Sequence, residues 1–309
     1  MAGITAMLEY DFMQNAFLAA AIVAVVSGAV GYFLVLRGQS FAGHALAHVG
    51  FTGATGAVLV GAPPLWGLVV LTVLGGMGMG LLGGRVQERD VAIGIVLSLS
   101  LGFGLLFLHF FTAYASQATA LLFGNVLGVD VPTLWALLGL AVVSLAVLAG
   151  IFRPLLFASL QPELAEARGV RVRLVSILFL GLVALAVSEC AQIVGVLLVF
   201  TLMVGPPAAA QRLTARVGLG VALTVALALA EAWGGVALAY WTDWPTSFWI
   251  SALSGSVYLA AWLADLARVR AGSRMCMRRG AEGRSVPVRT GTAPPMAVRL
   301  HESATSDRE

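Results

Sequence analysis

The chain has 309 residues, of which 60% are hydrophobic and 11% charged, and its mean hydropathy is +0.95. A soluble domain carries about 25% charged residues, so this composition argues against a soluble domain and indicates a polytopic membrane protein. All 18 basic residues are arginines. A chain without lysine has no P-loop lysine, which excludes nucleotide hydrolysis of the usual P-loop kind by this chain alone.

Apolar runs of roughly 18 residues or more recur along the chain, and each predicts a membrane-spanning helix. We count about nine, although the short sixth run leaves eight or ten open, and together they predict an all-α membrane domain over residues 1–268. The spans lie near 13–36, 41–60, 64–84, 91–112, 133–152, 172–188, 191–211, 217–240 and 246–267. Residues 269–309 are rich in Arg, Gly, Ser and Pro and predict a disordered cytoplasmic tail.

The arginines are distributed unevenly over the loops between these spans. The loops after the even-numbered spans carry none, whereas each odd-numbered span is followed by at least one. The first arginines after spans one, three, five, seven and nine are Arg37, Arg85, Arg153, Arg212 and Arg268. Because arginine-rich loops stay in the cytoplasm, this asymmetry predicts an external N-terminus and a cytoplasmic C-terminus.

The second span opens with SFAGHALAHVGFTGA, which places His44 and His48 four residues apart. That spacing puts both imidazoles on one face of a helix. Ionisable side chains inside a span are costly and mark candidates for a substrate pathway, and two histidines at this spacing can bind one Zn²⁺. The alternative is a pair of packing imidazoles that are hydrogen-bonded across the bundle.

The segment SQATALLFGNVLGVD, residues 116–130, is too short to cross a membrane and too apolar for a simple loop. It predicts either a re-entrant half-helix beside the pathway or an interfacial helix. In the first case Asn125 would offer an oxygen to the transported ion.

The segment SLQPELAEARGV, residues 159–170, lies between two arginine-rich boundaries and is therefore predicted to be cytoplasmic. Ser159 can serve as an N-cap, Pro162 and Glu163 suit a first helical turn, and Gly169 can stop the helix. The pattern predicts a short amphipathic helix over about 159–169, which is too short to span the membrane.

The seventh span contains Gly205, Pro206 and Pro207 near its cytoplasmic end. Consecutive prolines remove two backbone donors, so we expect a break in the helix there. Such a break suits a gate or hinge beside a water-filled path, but a plain helix end would look the same.

Two glutamates are further candidates for metal contacts. Glu189 falls between the sixth and seventh predicted spans near the outer boundary, where it would belong to an external gate or simply be exposed. Glu231 lies in the middle of the eighth span, where a carboxyl group is expensive. It would either contact the transported ion or hold helices together as a protonated or hydrogen-bonded side chain.

Three of these stretches, in this order, resemble the permease subunits of ABC importers for zinc, manganese or iron(II). SFAGHALAHVGFTGA is similar to the family's Asp-x-x-x-His pair with its glycine-containing small-residue run. ASLQPELAEARGV is similar to a cytoplasmic segment with a proline, spaced alanines and a closing Gly-Val, and QIVGVLLVFTLMVGPPAAAQRL to a Val-Gly-x-Leu-Leu-Val run ending in Pro-Ala-x-x-Ala. LLFGNVLGVD adds a weaker fourth match, and the resemblance spans roughly residues 13–267.

The resemblance implies a transport subunit of a bacterial plasma membrane that is not itself an enzyme and holds no tightly bound cofactor. Its partners would be a second permease copy, a cytoplasmic ATPase dimer that alone binds ATP, an extracytoplasmic metal-binding protein and membrane lipid, with no nucleic acid. The short cytoplasmic helix would be the coupling helix that fits a cleft on the ATPase. Its coupling residues would be Pro162, Glu163, Ala165, Ala167 and Gly169.

The resemblance also places His48 on the family's histidine and His44 on its aspartate. Exchanging a carboxylate for an imidazole shifts preference towards borderline ions such as Zn²⁺, so we expect zinc uptake by alternating access, with manganese or iron(II) as the alternative cargo. A secondary transporter that works without an ATPase would show an inverted repeat, and none is evident in the sequence. An intramembrane enzyme is disfavoured because no H-E-x-x-H or G-x-S-x-G motif occurs.

Overall fold

The computed structural model describes Met7 and residues 9–82, 86–110 and 122–282. Over these ranges the chain forms ten α-helices and one 3₁₀ turn, with no β-strand. The helices are α1 (Asp11–Leu36), α2 (Ser40–Leu59), α3 (Pro64–Leu82), α4 (Val86–His109), α5 (Val131–Leu160), α6 (Pro162–Ala167), α7 (Val172–Val194), α8 (Val199–Leu213), α9 (Val217–Thr242) and α10 (Thr246–Glu282), with the 3₁₀ turn at Val126–Gly128.

Each of the nine predicted spans overlaps one of these helices. Six helices are long and apolar enough to cross a membrane, namely α1, α3, α5, α7, α9 and the part of α10 that ends at Arg268. The other three predicted spans correspond to α2, to the apolar part of α4 over Ile93–His109 and to the 15-residue α8. The all-α membrane class is confirmed, and the count of nine stays a prediction for these three helices.

The bundle is organised around α1, which is mostly buried. This helix packs against α5, α7, α8 and α9, whereas α2 packs mainly on α3 and α4, and α3 also on α7. Small residues allow the closest approaches. A Cβ atom on Gly53 of α2 would collide with the carbonyl oxygen of Gly67 on α3, and the reverse also holds. The glycine-rich run after the histidines therefore serves helix packing.

The boundary predicted between the sixth and seventh spans is wrong. Helix α7 continues to Val194, and the break falls at residues 195–198, where Gly195 has φ +89°. This backbone conformation favours glycine because it has no Cβ atom. Glu189 is consequently a helical residue of α7 and does not lie in a loop.

The break predicted at Pro206 and Pro207 is also absent, because both residues lie inside the continuous helix α8. The prolines leave the carbonyl groups of Leu202 and Met203 without their helical donors. Gly31 of α1 packs so closely on the Met203 carbonyl oxygen that an added Cβ atom would collide with it. Packing of this kind accommodates prolines within membrane helices.

The short helix that is predicted to be cytoplasmic exists, but its start differs from the prediction. Ser159 is not an N-cap, because α5 continues to Leu160 and the Ser159 hydroxyl donates to the Leu155 carbonyl within it. Helix α6 starts at Pro162 after Gln161 and spans only six residues. Gly169 has φ +81°, as expected of a glycine just beyond a helix end.

The described part of the chain divides into two compact units, one that ends at Asp265 and one that begins at Leu266. The first contains the helix bundle. Within the second, α10 remains helical to Glu282, so the disorder predicted from residue 269 is wrong for residues 269–282. Arginine, methionine and alanine are good helix formers, and all the prolines of the predicted tail come later. Residues 283–309 lie outside the described ranges.

The predicted half-helix falls largely outside the described ranges, since residues 111–121 are not described. From Leu122 onwards the chain leads into the 3₁₀ turn at Val126–Gly128. The side-chain oxygen of Asn125 caps this turn by accepting a hydrogen bond of 3.1 Å from the Gly128 N–H.

Candidate functional site

The structure brings His44 and His48 together in the first turns of α2. Their ring centroids lie 4.9 Å apart with the planes at 85°. The His48 side chain is buried, and its Nδ1 atom has no hydrogen-bond partner in the described part of the chain. A buried nitrogen without a partner costs roughly 1–3 kcal/mol, so it argues against imidazoles that only join helices by hydrogen bonds. This nitrogen is available to a ligand.

Two phenylalanines hold the ring of His44. Phe41, one turn earlier in α2, lies 6.3 Å from it between ring centroids. Phe200, at the start of α8, lies 5.8 Å away with its plane at 82° to the imidazole. The pair therefore has aromatic neighbours from its own helix and from the helix that follows the α7–α8 break.

Glu189 is fully buried between α7 and α5. Its Oε1 atom accepts a hydrogen bond of 2.9 Å from the Ser144 hydroxyl, and its Oε2 atom has no partner among the described residues. Beside it, the hydroxyls of Ser188 and Thr72 lie 2.6 Å apart and join α7 to α3. The expectation of interface exposure is wrong, because Glu189 belongs to a polar layer among three packed helices.

Glu231 is the most isolated acid in the described bundle. It lies on the buried face of α9, is 2% exposed, and has no hydrogen bond of normal geometry to either carboxyl oxygen over the described ranges. The hydroxyl of Ser254 on α10 lies near its carboxyl group. The absence of these hydrogen bonds argues against the interpretation of Glu231 as a hydrogen-bonded side chain that joins helices.

The remaining ligand candidates do not join the histidines. Within the described ranges, no group of three His, Cys, Asp or Glu side chains lies close enough to hold one metal ion. The side-chain oxygen of Asn125 already accepts the hydrogen bond that caps the 3₁₀ turn. Of the five candidates, the structure brings His44 and His48 together.

Helix α6, which is predicted to be cytoplasmic, presents most of its surface to solvent. Pro162, Glu163, Ala167 and Gly169 are exposed, but Ala165 is fully buried against the protein itself. Leu164, which the sequence analysis did not single out, is 46% exposed. Of the five residues assigned to coupling, four lie on an accessible surface.

A cavity between α8 and α10 was missed by the sequence analysis. It has a volume of about 430 Å³, and Phe200 and four hydroxyl-bearing residues contribute to its lining. The four are Thr201, Ser251, Ser254 and Tyr258. The three on α10 recur at helical spacing on one face of the last span, which is a signal that could have been found.

The chain matches the ABC 3 transport family over residues 9–265. It is 31% identical over 232 residues to the manganese transport system membrane protein MntC of Halalkalibacterium halodurans, covering 74% of this chain and 79% of that protein. It is 30% identical over 267 residues to the probable iron transport system membrane protein of Haemophilus influenzae, covering 85% and 97%. Among solved structures, PsaBC from Streptococcus pneumoniae in complex with Fab matches with a TM-score of 0.76 at 26% identity, covering 84% of this chain and 94% of that one.

Proposed function

Since this chain belongs to the ABC 3 transport family, as the membrane-spanning permease of a divalent-metal importer and not as its ATPase, we propose that its principal cargo is manganese. The relative from Halalkalibacterium halodurans is named for manganese and the one from Haemophilus influenzae for iron. The zinc preference expected from His44 has no support from these relatives, so iron(II) is the second candidate.

The observation that carries a metal path through this chain is the histidine pair with its unpartnered Nδ1 atom, whereas the choice of manganese rests on the names of the relatives. Imidazole nitrogen binds first-row divalent ions in general, so the pair alone does not require zinc. Conduction also needs a site that binds weakly enough to release the ion. Two histidine ligands from one copy would bind the ion weakly enough to release it. In a symmetric dimer, a second permease copy would supply an equivalent pair of histidines.

Energy for transport would come from a cytoplasmic ATPase dimer that docks on α6. Its accessible residues include the apolar side chain of Leu164, and an exposed apolar side chain on a cytoplasmic helix suits a protein partner. An extracytoplasmic metal-binding protein would deliver the ion, and ATP binding by the partner would switch the permease between outward- and inward-open states.

The test is uptake by the permease reconstituted in liposomes with its ATPase and binding protein. Manganese, iron(II) and zinc are supplied separately and then in competition, with ATP inside the vesicles. We expect ATP-dependent manganese uptake that excess zinc inhibits only weakly. Zinc uptake that exceeds manganese uptake would overturn the proposed cargo, and metal uptake without the ATPase would overturn the mechanism.

A further inference from the structure

The turn of α2 that follows the histidine pair is hydrogen-bonded to another helix. Thr52 comes four residues after His48, so helical spacing places it on the face of α2 that carries both imidazoles. Its buried hydroxyl donates to the Ser100 carbonyl of α4, and it also lies 3.2 Å from the His48 carbonyl of its own helix. A hydroxyl has one hydrogen, so these two carbonyls share it. The backbone of His48 is thereby linked to α4.

The second threonine of α2 makes a different kind of contact. Thr55 is also buried, but its hydroxyl donates to the Phe51 and Thr52 carbonyls of its own helix, at 2.9 Å and 3.1 Å. A threonine can make such a bond in any helix, because the acceptor lies one turn earlier in the same segment. The bond from Thr52 to α4 instead requires that two helices meet in one arrangement, so it reports on the position of the histidine turn.

The packing of α4 on α2 is closest beside this hydrogen bond. Gly104 lies one turn after the accepting carbonyl, and a Cβ atom there would come within 2.6 Å of the Phe51 ring and 3.3 Å of the Thr52 hydroxyl oxygen. A glycine at this position lets the two helices approach closely enough for the hydroxyl to reach α4. On the other side of the pair, His44 meets the Phe200 ring of α8. The two imidazoles are therefore held between α4 and α8, and the contact with α4 includes a hydrogen bond.

We propose that Thr52 is a positioning residue for metal selection, because its hydrogen bond to the Ser100 carbonyl fixes the turn of α2 that carries His48. Zinc binds a nitrogen site more tightly than manganese, and a site that favours manganese must do so through its geometry and its ligand types. Without the bond to α4, the imidazoles can adjust to whichever ion binds them best, which is zinc. The inference rests on the proposed function, since it presumes that the histidine pair contacts the transported metal.

The experiment measures manganese and zinc uptake together in liposomes that hold the permease, its ATPase and its binding protein. Both ions are supplied at equal concentration, and their uptake ratio is independent of the number of active complexes. Thr52→Val keeps the shape of the side chain and removes the hydroxyl. We expect it to lower manganese uptake about tenfold, as the loss of groups that orient metal ligands commonly does. The manganese-to-zinc ratio should fall at least about threefold, because the imposed geometry is lost. Thr52→Ser keeps the hydroxyl and should restore both values.

Thr55→Val is the matched control, because it removes a buried hydroxyl of the same helix that bonds within α2. Ser100→Ala is a second control, since the acceptor is the backbone carbonyl, and both controls should keep the wild-type ratio. Thr52→Ala replaces the valine variant if that variant does not co-purify with the ATPase. An assembled Thr52→Val or Thr52→Ala complex with the wild-type ratio overturns the proposal, even if its uptake is slow, and an equal fall in Thr55→Val overturns it too. ATP-driven manganese uptake by the wild type shows that such a failure concerns Thr52 and leaves the proposed function standing.

Discussion

At the scale of single residues, three buried ionisable side chains differ in how well the surrounding protein satisfies them. Glu189 has one carboxyl oxygen bonded to Ser144, whereas Glu231 has neither oxygen in a hydrogen bond of normal geometry and His48 has an unpartnered Nδ1 atom, all within the described ranges. Unpaired buried polar atoms are rare and call for a reason. Transport of a cation through the bundle would be such a reason for His48, which stands next to a second imidazole.

Replacing His48 with alanine should reduce manganese uptake at least about tenfold, because even the loss of a residue that only supports a metal ligand costs roughly 10–100-fold. The measurement is initial uptake in the reconstituted system at equal permease content. His44→Asp should retain uptake and weaken inhibition by zinc, since a carboxylate is the harder ligand. Alanine variants of both histidines that transport at the wild-type rate would show that the pair only packs.

At the scale of elements, the short helix α6 exposes an apolar side chain, Leu164, as well as polar ones. Its six residues make about 1.7 turns, yet Leu164 and Glu163 point into solvent while Ala165 anchors it to the protein. So short a helix gains little stability by itself. Its packing on α5 and α7 holds the exposed side chains in one orientation for a partner.

Replacing Leu164 with aspartate should weaken binding of the ATPase about tenfold or more, because the contact would then bury a carboxylate without a partner for its charge. Co-purification and manganese-stimulated ATP hydrolysis are the measurements. Ala215→Asp adds the same charge to an exposed position in another loop that is predicted to be cytoplasmic, and it should retain coupling. Full coupling in the Leu164→Asp complex would contradict the assignment of α6 as the docking helix.

For the whole molecule, the charge distribution and the helix order agree on one orientation. The α8–α9 connection contains Arg216 and the segment before α7 contains Arg171, so both are expected inside. Asp130, the N-cap of α5, lies at the opposite end of that helix from Arg153, and hydrogen bonds from Thr133 lower the pKa of its carboxyl group. A carboxylate that stays ionised suits a loop at the outer surface.

This orientation predicts which sites a membrane-impermeant thiol reagent reaches in intact cells. Single cysteines are introduced into a variant in which Cys190 is alanine and Cys276 is serine. We expect external labelling of Val131→Cys and Trp244→Cys, both at exposed positions, but labelling of Arg171→Cys and Ala215→Cys only after the membrane is opened. The opposite result would reverse the orientation, and a mixed result would change the number of spans.

Much of this protein could be predicted from local features of the sequence. Apolar runs determine the helices and their order, because a segment in lipid must satisfy its backbone hydrogen bonds internally. The contact between His44 and His48 follows from helical spacing alone. The end of α6 just before Gly169 is similarly local, since the backbone conformation at Gly169 favours glycine.

Only the tertiary structure decided which side chains meet across the bundle. The partner of Glu189 is Ser144 on another helix, and the ring that meets His44 belongs to Phe200, far along the chain. The continuity of α8 through its prolines likewise depends on the close approach of Gly31. Each of these facts depends on which face one helix turns towards another. That choice is made by packing between distant segments, on which the local periodicity of a single sequence carries no information.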